Sequence, residues 1–147
     1  MKTLIRSLSL IVLAAGAAAC DGGTDSPTQP PVFVGPAELQ VTDLRAGTGA
    51  TVMAGQTISV GYALWLYDPT GTDSKGTQIQ VNSPLNVTLA TPGIIAGWVQ
   101  GVPGMKVGGI RRLIIPPSLA YGANGAPPDI PGNAWTVFEI EVLAIVN

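Results

Sequence analysis

The chain has 147 residues, 46% of them hydrophobic and only 11% charged, with 19 glycines and 13 prolines. That suffices for one ordinary domain with a sizeable core, and the turn-rich, charge-poor balance points to a mostly β chain. The net charge of -2 falls to -4 without Lys2 and Arg6, which leaves no basic stripe for nucleic acid, and a chain with no histidine and one cysteine lacks both a zinc constellation and the commonest general base.

In chain order, the first segment is "MKTLIRSLSLIVLAAGAAAC". Two cations, an apolar run from Leu8 to Ala15 and small residues before Cys20 lay out a secretory signal peptide over residues 1–19. The run is roughly half the ~20 residues that a spanning helix needs. Ala17-Ala18-Ala19-Cys20 resembles the lipobox of a bacterial lipoprotein, with Ala17 where that pattern usually has Leu. The resemblance implies that Cys20 is acylated and cleaved to become the first residue. The protein would then be anchored to a membrane of the bacterial cell envelope, facing the periplasm or the exterior. Several acyl chains hold a protein stably where one binds only marginally. The alternative for Cys20 is an incidental thiol after an ordinary cleavage site; a lone cysteine in an exported chain, at the position acylation requires, favours the lipid. Residues 20–38 contain "DGGTDSPTQPPVFVGPA" and read as a flexible linker, leaving residues 39–147 as the domain.

From Glu38 onward the pattern has period two. "TISVGYALWLY", residues 57–67, places Ile58, Val60, Tyr62, Leu64 and Leu66 on one face, which predicts a half-buried strand. "DPTG" ends it, with Pro69 and Gly71 suited to a reversal. "TQIQV" and "NVTLA" are short strands flanking a break at Asn82-Ser83-Pro84, and "GIRRLIIP" and "AWTVFEIEVLAIV" are longer ones. In the last, Glu139 and Glu141 share a face opposite Phe138, Ile140 and Val142 and read as solvated surface. Only "GIIAGWVQGV", residues 93–102, has a helical pattern. The fold class expected is therefore α+β, a curved antiparallel sheet wrapped around one short helix. Residues 121–133, "YGANGAPPDIPGN", are too rich in Gly and Pro for either element and predict a long functional loop.

No Ser-His-Asp set, metal cluster or phosphate-binding glycine motif is present, so no metal or cofactor is implied. What remains is a group of apolar and aromatic residues suited to a shaped apolar pocket. "GIIAGWVQGVPGMKVGGIRRLIIPPSLAYGANGAPPDIPGNAWTVFEIEVL" resembles the C-terminal half of the FKBP-type peptidyl-prolyl cis-trans isomerases, and "VGYALWLYDPTGTDSKG" is more loosely similar to the segment before it. Together they cover about residues 39–147.

The resemblance implies a prolyl isomerase for proline-containing polypeptides, acting on folding envelope proteins, without cofactor, as a monomer, and with the family's macrolide inhibitors as further ligands. Trp98 would be the pocket floor, and Tyr62, Ile94, Ile95 and Phe138 its walls. The backbone N–H of Ile95 would hold a substrate carbonyl, Tyr121 would donate its hydroxyl near the rotating bond, and Ile130 would help close the site. Asp73 would sit at the rim and orient polar contacts. Leu85 and Val87 stand where the family often has aromatic residues, and Thr72 stands where it has a phenylalanine wall, so reduced activity is expected. Trp135 replaces a smaller residue and is expected to cover the sheet or present an aromatic patch. Taken on residue type alone, the apolar set is ordinary core. The rival to the enzyme is a peptide-binding or chaperone-like module of the same fold with little catalysis; a purely structural lipoprotein is the third reading.

Overall fold

The computed structural model describes residues 29–146; Cys20 and residues 1–19, read above as a signal peptide, lie outside the described residues. The elements are β1 (Gln40–Arg45), β2 (Thr57–Tyr67), β3 (Lys75–Thr88), α1 (Ala96–Gly101), β4 (Ile110–Ile115) and β5 (Thr136–Ile145). The five strands form one antiparallel sheet in the order β1-β4-β5-β2-β3, with α1 packed on one face. This is the α+β architecture expected from the sequence.

Alternation decides which face is covered. In β2, Ile58, Val60, Leu64 and Leu66 are buried; across the ladder Val60 pairs Val142 and Leu64 pairs Phe138 of the central strand β5, and Ile140 pairs Tyr62. The β4 residues Leu113 and Ile115 complete the inner face. Against it lies α1, which contributes Trp98 and is followed by Val102, both buried. Its approach depends on two glycines. A Cβ on Gly97 would stand 2.5 Å from Ile115, and one on Gly101 would stand 2.7 Å from Leu113, so any side chain there would push the helix off the sheet.

Three elements differ from the sequence reading. The two short strands around Pro84 are one continuous strand, β3, with a bulge: Val60 pairs Leu85 and Tyr62 pairs Asn82, so Ser83 and Pro84 together face Gly61. Proline is tolerated because β3 is an edge strand and the bulge asks no ladder hydrogen bond of it. The helix is shorter than the apolar pattern, since Ile95 is extended at φ -60°, ψ 145° and only residues from Ala96 onward wind. β1 carries no burial pattern, all six residues being exposed; it is held by pairing to β4 and by Arg111, whose guanidinium takes both carboxylate oxygens of Asp43 and also donates to the Gly101 carbonyl at the end of α1.

The outer face of the sheet is charged and paired; Glu141 is solvated there as read, while Glu139 is not. The Glu139 side chain is only 22% exposed and bonds Lys75 at 2.7 Å and Arg112 at 2.8 Å, while Glu141 pairs with Arg45. Lys75 also lies 4.6 Å from the ring centre of Trp65, a cation–π contact on the same face. Burial pushes the Glu139 carboxyl up, and the hydrogen bonds and charges of Lys75 and Arg112 outweigh it, so its pKa is lowered overall.

Candidate functional site

At the centre of the inner face three aromatic rings meet. Trp98 stands edge-on to Tyr62, with centroids 5.4 Å apart and planes at 85°, and edge-on to Phe138, at 5.4 Å and 88°; Tyr62 and Phe138 are 6.0 Å apart. Each ring comes from a different element. Tyr62 follows from the alternation of β2, Phe138 from that of β5, and Trp98 from the helix whose glycines let it sit against β4. Edge-to-face pairs of this kind add roughly 0.5–1.5 kcal/mol each beyond area burial, so the cluster is a rigid surface.

Above it opens a pocket of about 60 Å³ lined by Tyr62, Leu85, Ile94, Ile95, Trp98, Tyr121 and Phe138. One water needs roughly 10–15 Å³ of such space, so the pocket takes roughly four to five heavy atoms, about the size of a pyrrolidine ring. Hollows of about 220 and 500 Å³ lie elsewhere. The first is bordered by Asp43, Arg45, Lys106 and Arg111 and the second by the 37–39 segment, so neither offers an aromatic wall.

The polar groups of the pocket are few. Burial pushes the Tyr62 phenol up, and burial, with a smaller contribution from neighbouring Tyr62, pushes up that of Tyr121; both lie above the ordinary value of 10.0 and stay protonated donors at neutral pH. Ile95 begins α1 in extended conformation, and among the described residues no carbonyl or side chain accepts its backbone N–H. A donor at a helix start, beside the aromatic floor, is a place for a carbonyl oxygen. The indole Nε1 of Trp98 is buried and without a partner among the described residues.

Seven of the eleven pocket residues expected from the sequence line this pocket, and four do not. Ile130 is buried at 4% exposure in the core cluster, and Val87 packs against that cluster from β3. Thr72 is exposed in the turn Thr72–Ser74, which contributes no lining residue, so the wall that the resemblance implies at this position is absent. Asp73 is the clearest difference from the resemblance. Its carboxylate lies 2.8 Å from Arg112 and 3.8 Å from Lys75, in the charged group that includes Glu139 on the outer face. Phe138 points inward and Glu139, the next residue, outward, so Asp73 is tied to the side of the sheet opposite the pocket. Two cations compete for it there. The sequence signal was available in Lys75, two residues on, and in Arg112, which alternates with buried Leu113.

Trp135 covers neither the sheet nor a bare patch. Its indole N–H donates to the Pro36 carbonyl at 2.8 Å, and Gly35 lies flat on its ring. The end of the segment read as free linker is therefore seated on the domain.

Comparison with known proteins gives a consistent picture. Residues 49–143 match the family described as FKBP-type peptidyl-prolyl cis-trans isomerase. An "FK506-binding protein" of Neisseria meningitidis serogroup B is 40% identical over 107 residues, covering 73% of this chain and 95% of that protein. "Peptidyl-prolyl cis-trans isomerase FKBP2" of Mus musculus is 45% identical over 91 residues, 62% of this chain and 63% of its own. Among solved structures, a peptidyl-prolyl cis-trans isomerase from Pseudomonas syringae pv. tomato superposes with a TM-score of 0.64 at 32% identity, covering 74% of this chain and 76% of that one.

Proposed function

The chain belongs to the FKBP-type peptidyl-prolyl cis-trans isomerase family and is an enzyme of that class, and on that premise we propose that its Trp98 pocket rotates X-Pro bonds in folding proteins of a bacterial envelope to which lipidated Cys20 anchors it. The observation that carries the pocket assignment is the three-ring floor with two neutral phenols and one free backbone donor above it. The amide bond before proline has a rotation barrier of about 18–20 kcal/mol and isomerises unaided over tens to hundreds of seconds.

Rotation breaks amide resonance, so the twisted state has less charge separation between carbonyl oxygen and nitrogen than the planar one. An apolar cavity therefore solvates the twisted state relatively better than water does. The proline ring rests on Trp98 between Tyr62 and Phe138. The Ile95 N–H holds a substrate carbonyl, and the Tyr121 hydroxyl donates to the peptide beside the rotating bond. No proton leaves or joins the substrate, so no general base is needed, in agreement with a chain that has no histidine. FK506, for which the meningococcal relative is named, is the natural competitor for the same pocket.

The test is a proline-limited refolding or peptide assay. Wild type accelerates isomerisation, and Tyr121→Phe lowers kcat about tenfold, the equivalent of one hydrogen bond made mainly in the transition state. Both phenols titrate above 10.0, so the rate is level from about pH 5 to 9 and falls only as Tyr121 ionises. Wild type no faster than solvent would sink the reading. A second reading, a peptide-holding module with weak turnover, is favoured by one observation, the exposed Thr72 and the missing wall beside it.

The anchor rests on the sequence around Cys20. Mass spectrometry of the membrane fraction should find acylated Cys20 at the new N-terminus, and Cys20→Ala should release the protein. An unmodified wild-type chain in the soluble fraction refutes it.

A further inference from the structure

We propose that residues 35–39 form a strap that positions Tyr121 by tying together both feet of its loop, with Trp135 as the positioning residue. The loop runs from Pro116, after β4, to Trp135, before β5. Its first foot is the turn Pro117–Leu119, and its second is Trp135 itself, whose carbonyl accepts from the Tyr67 N–H at 3.0 Å. The strap is bonded to the second and borders the first across a hollow. On the second foot, the Trp135 N–H donates to Pro36, and a Cβ on Gly35 would stand 2.6 Å from the ring, so only glycine lies flat there. On the first, Ala37, Glu38 and Leu39 share one hollow with Pro116, Ser118 and Leu119, and Leu39 and Leu119 both pack against the core cluster.

Between its feet the loop is closed on itself. Ala126 and Ile130 exchange both backbone hydrogen bonds, and the Asn133 N–H donates to Gly122, next to Tyr121, at 2.9 Å. Tyr121 thus sits between one strapped foot and a closed body, and its direction depends on how that body is held. Loops of this kind open at lower free energy than the strands they join. A segment seated on one foot and bordering the other makes opening harder without touching substrate. The isomerase unit accordingly begins at about Gly35.

The kinetic part of the inference rests on the isomerase reading; the structural part does not. Two full-length variants test it: Trp135→Phe, which keeps a ring but removes the N–H, and Gly35→Val, which drives a side chain into the ring. Amide exchange at Asn133 and Ile130 should quicken about fivefold in both, as for loss of one hydrogen bond. Exchange at Leu64 and Ile140, in the β2–β5 ladder, should stay as in wild type. Trp135→Phe should lower kcat by a similar factor, and in a Tyr121→Phe background it should lower it no further, because its effect passes through that hydroxyl. Unchanged loop exchange in both variants overturns the strap. Losses that simply multiply in the double variant overturn the positioning of Tyr121. Should wild type show no isomerase activity, the functional reading falls and the exchange comparison alone decides the strap.

Discussion

Phe138→Ala is expected to lower kcat/KM about a hundredfold while leaving a folded but weakened domain. Phe138 is 2% exposed, stands edge-on to Trp98 and borders the pocket, so its removal takes away a wall and a support of the floor. A factor of a hundred is about 2.7 kcal/mol of transition-state stabilisation, in line with losing one large apolar contact. The same truncation costs about 3–5 kcal/mol of folding stability, a large share of the ~5–15 kcal/mol typical of a domain. The assay must therefore be run where circular dichroism shows the variant folded, with Phe138→Leu, which keeps most of the volume, beside it. Phe138→Leu should recover stability first and activity only in part, because a branched alkyl group cannot restore the edge-to-face contacts with Trp98 and Tyr62. A folded Phe138→Ala protein with wild-type kcat/KM would show that the reacting bond lies elsewhere.

Burial and partner choice explain why some of this was legible in the sequence and some was not. β2 was readable to the residue because one of its faces meets the core and the other does not, so composition alternates with the pleat. β1 left no such trace: all six of its residues are exposed, and it exists because β4 offers a free edge and Arg111 reaches Asp43. Pro84 read as a break because a proline within a strand usually is one; the bulge on an edge strand removes the objection. At the site, Trp98, Tyr62 and Phe138 are large apolar residues of the kind any core can hold, so only the resemblance separated floor from core. Asp73 shows the limit of carrying a role across by alignment. Its carboxylate is held by Arg112, on a strand distant in sequence, and by Lys75. A resemblance in the turn carries no information about a cation contributed by β4.

Thr72→Phe is expected to raise kcat/KM about tenfold. The turn Thr72–Ser74 is pinned from outside by the Asp73–Arg112 ion pair, and Thr72 itself is exposed, so a larger side chain there meets no packed neighbour that must move. Burying a phenyl side chain fully is worth about 1.5–3 kcal/mol; lying along one edge of a bound proline ring, it gains roughly half of that, or about tenfold in rate. The gain should appear in kcat/KM for X-Pro peptides and vanish in the Phe138→Ala background, where the opposite wall is missing and the ring is no longer gripped from two sides. If Thr72→Phe turns over peptide where wild type barely does, the natural protein is mainly a holder of proline segments. No change in either binding or rate would mean that the turn, held by Arg112 on the outer face, faces away from the pocket. The seven lining residues would then be the whole of the substrate's apolar contact.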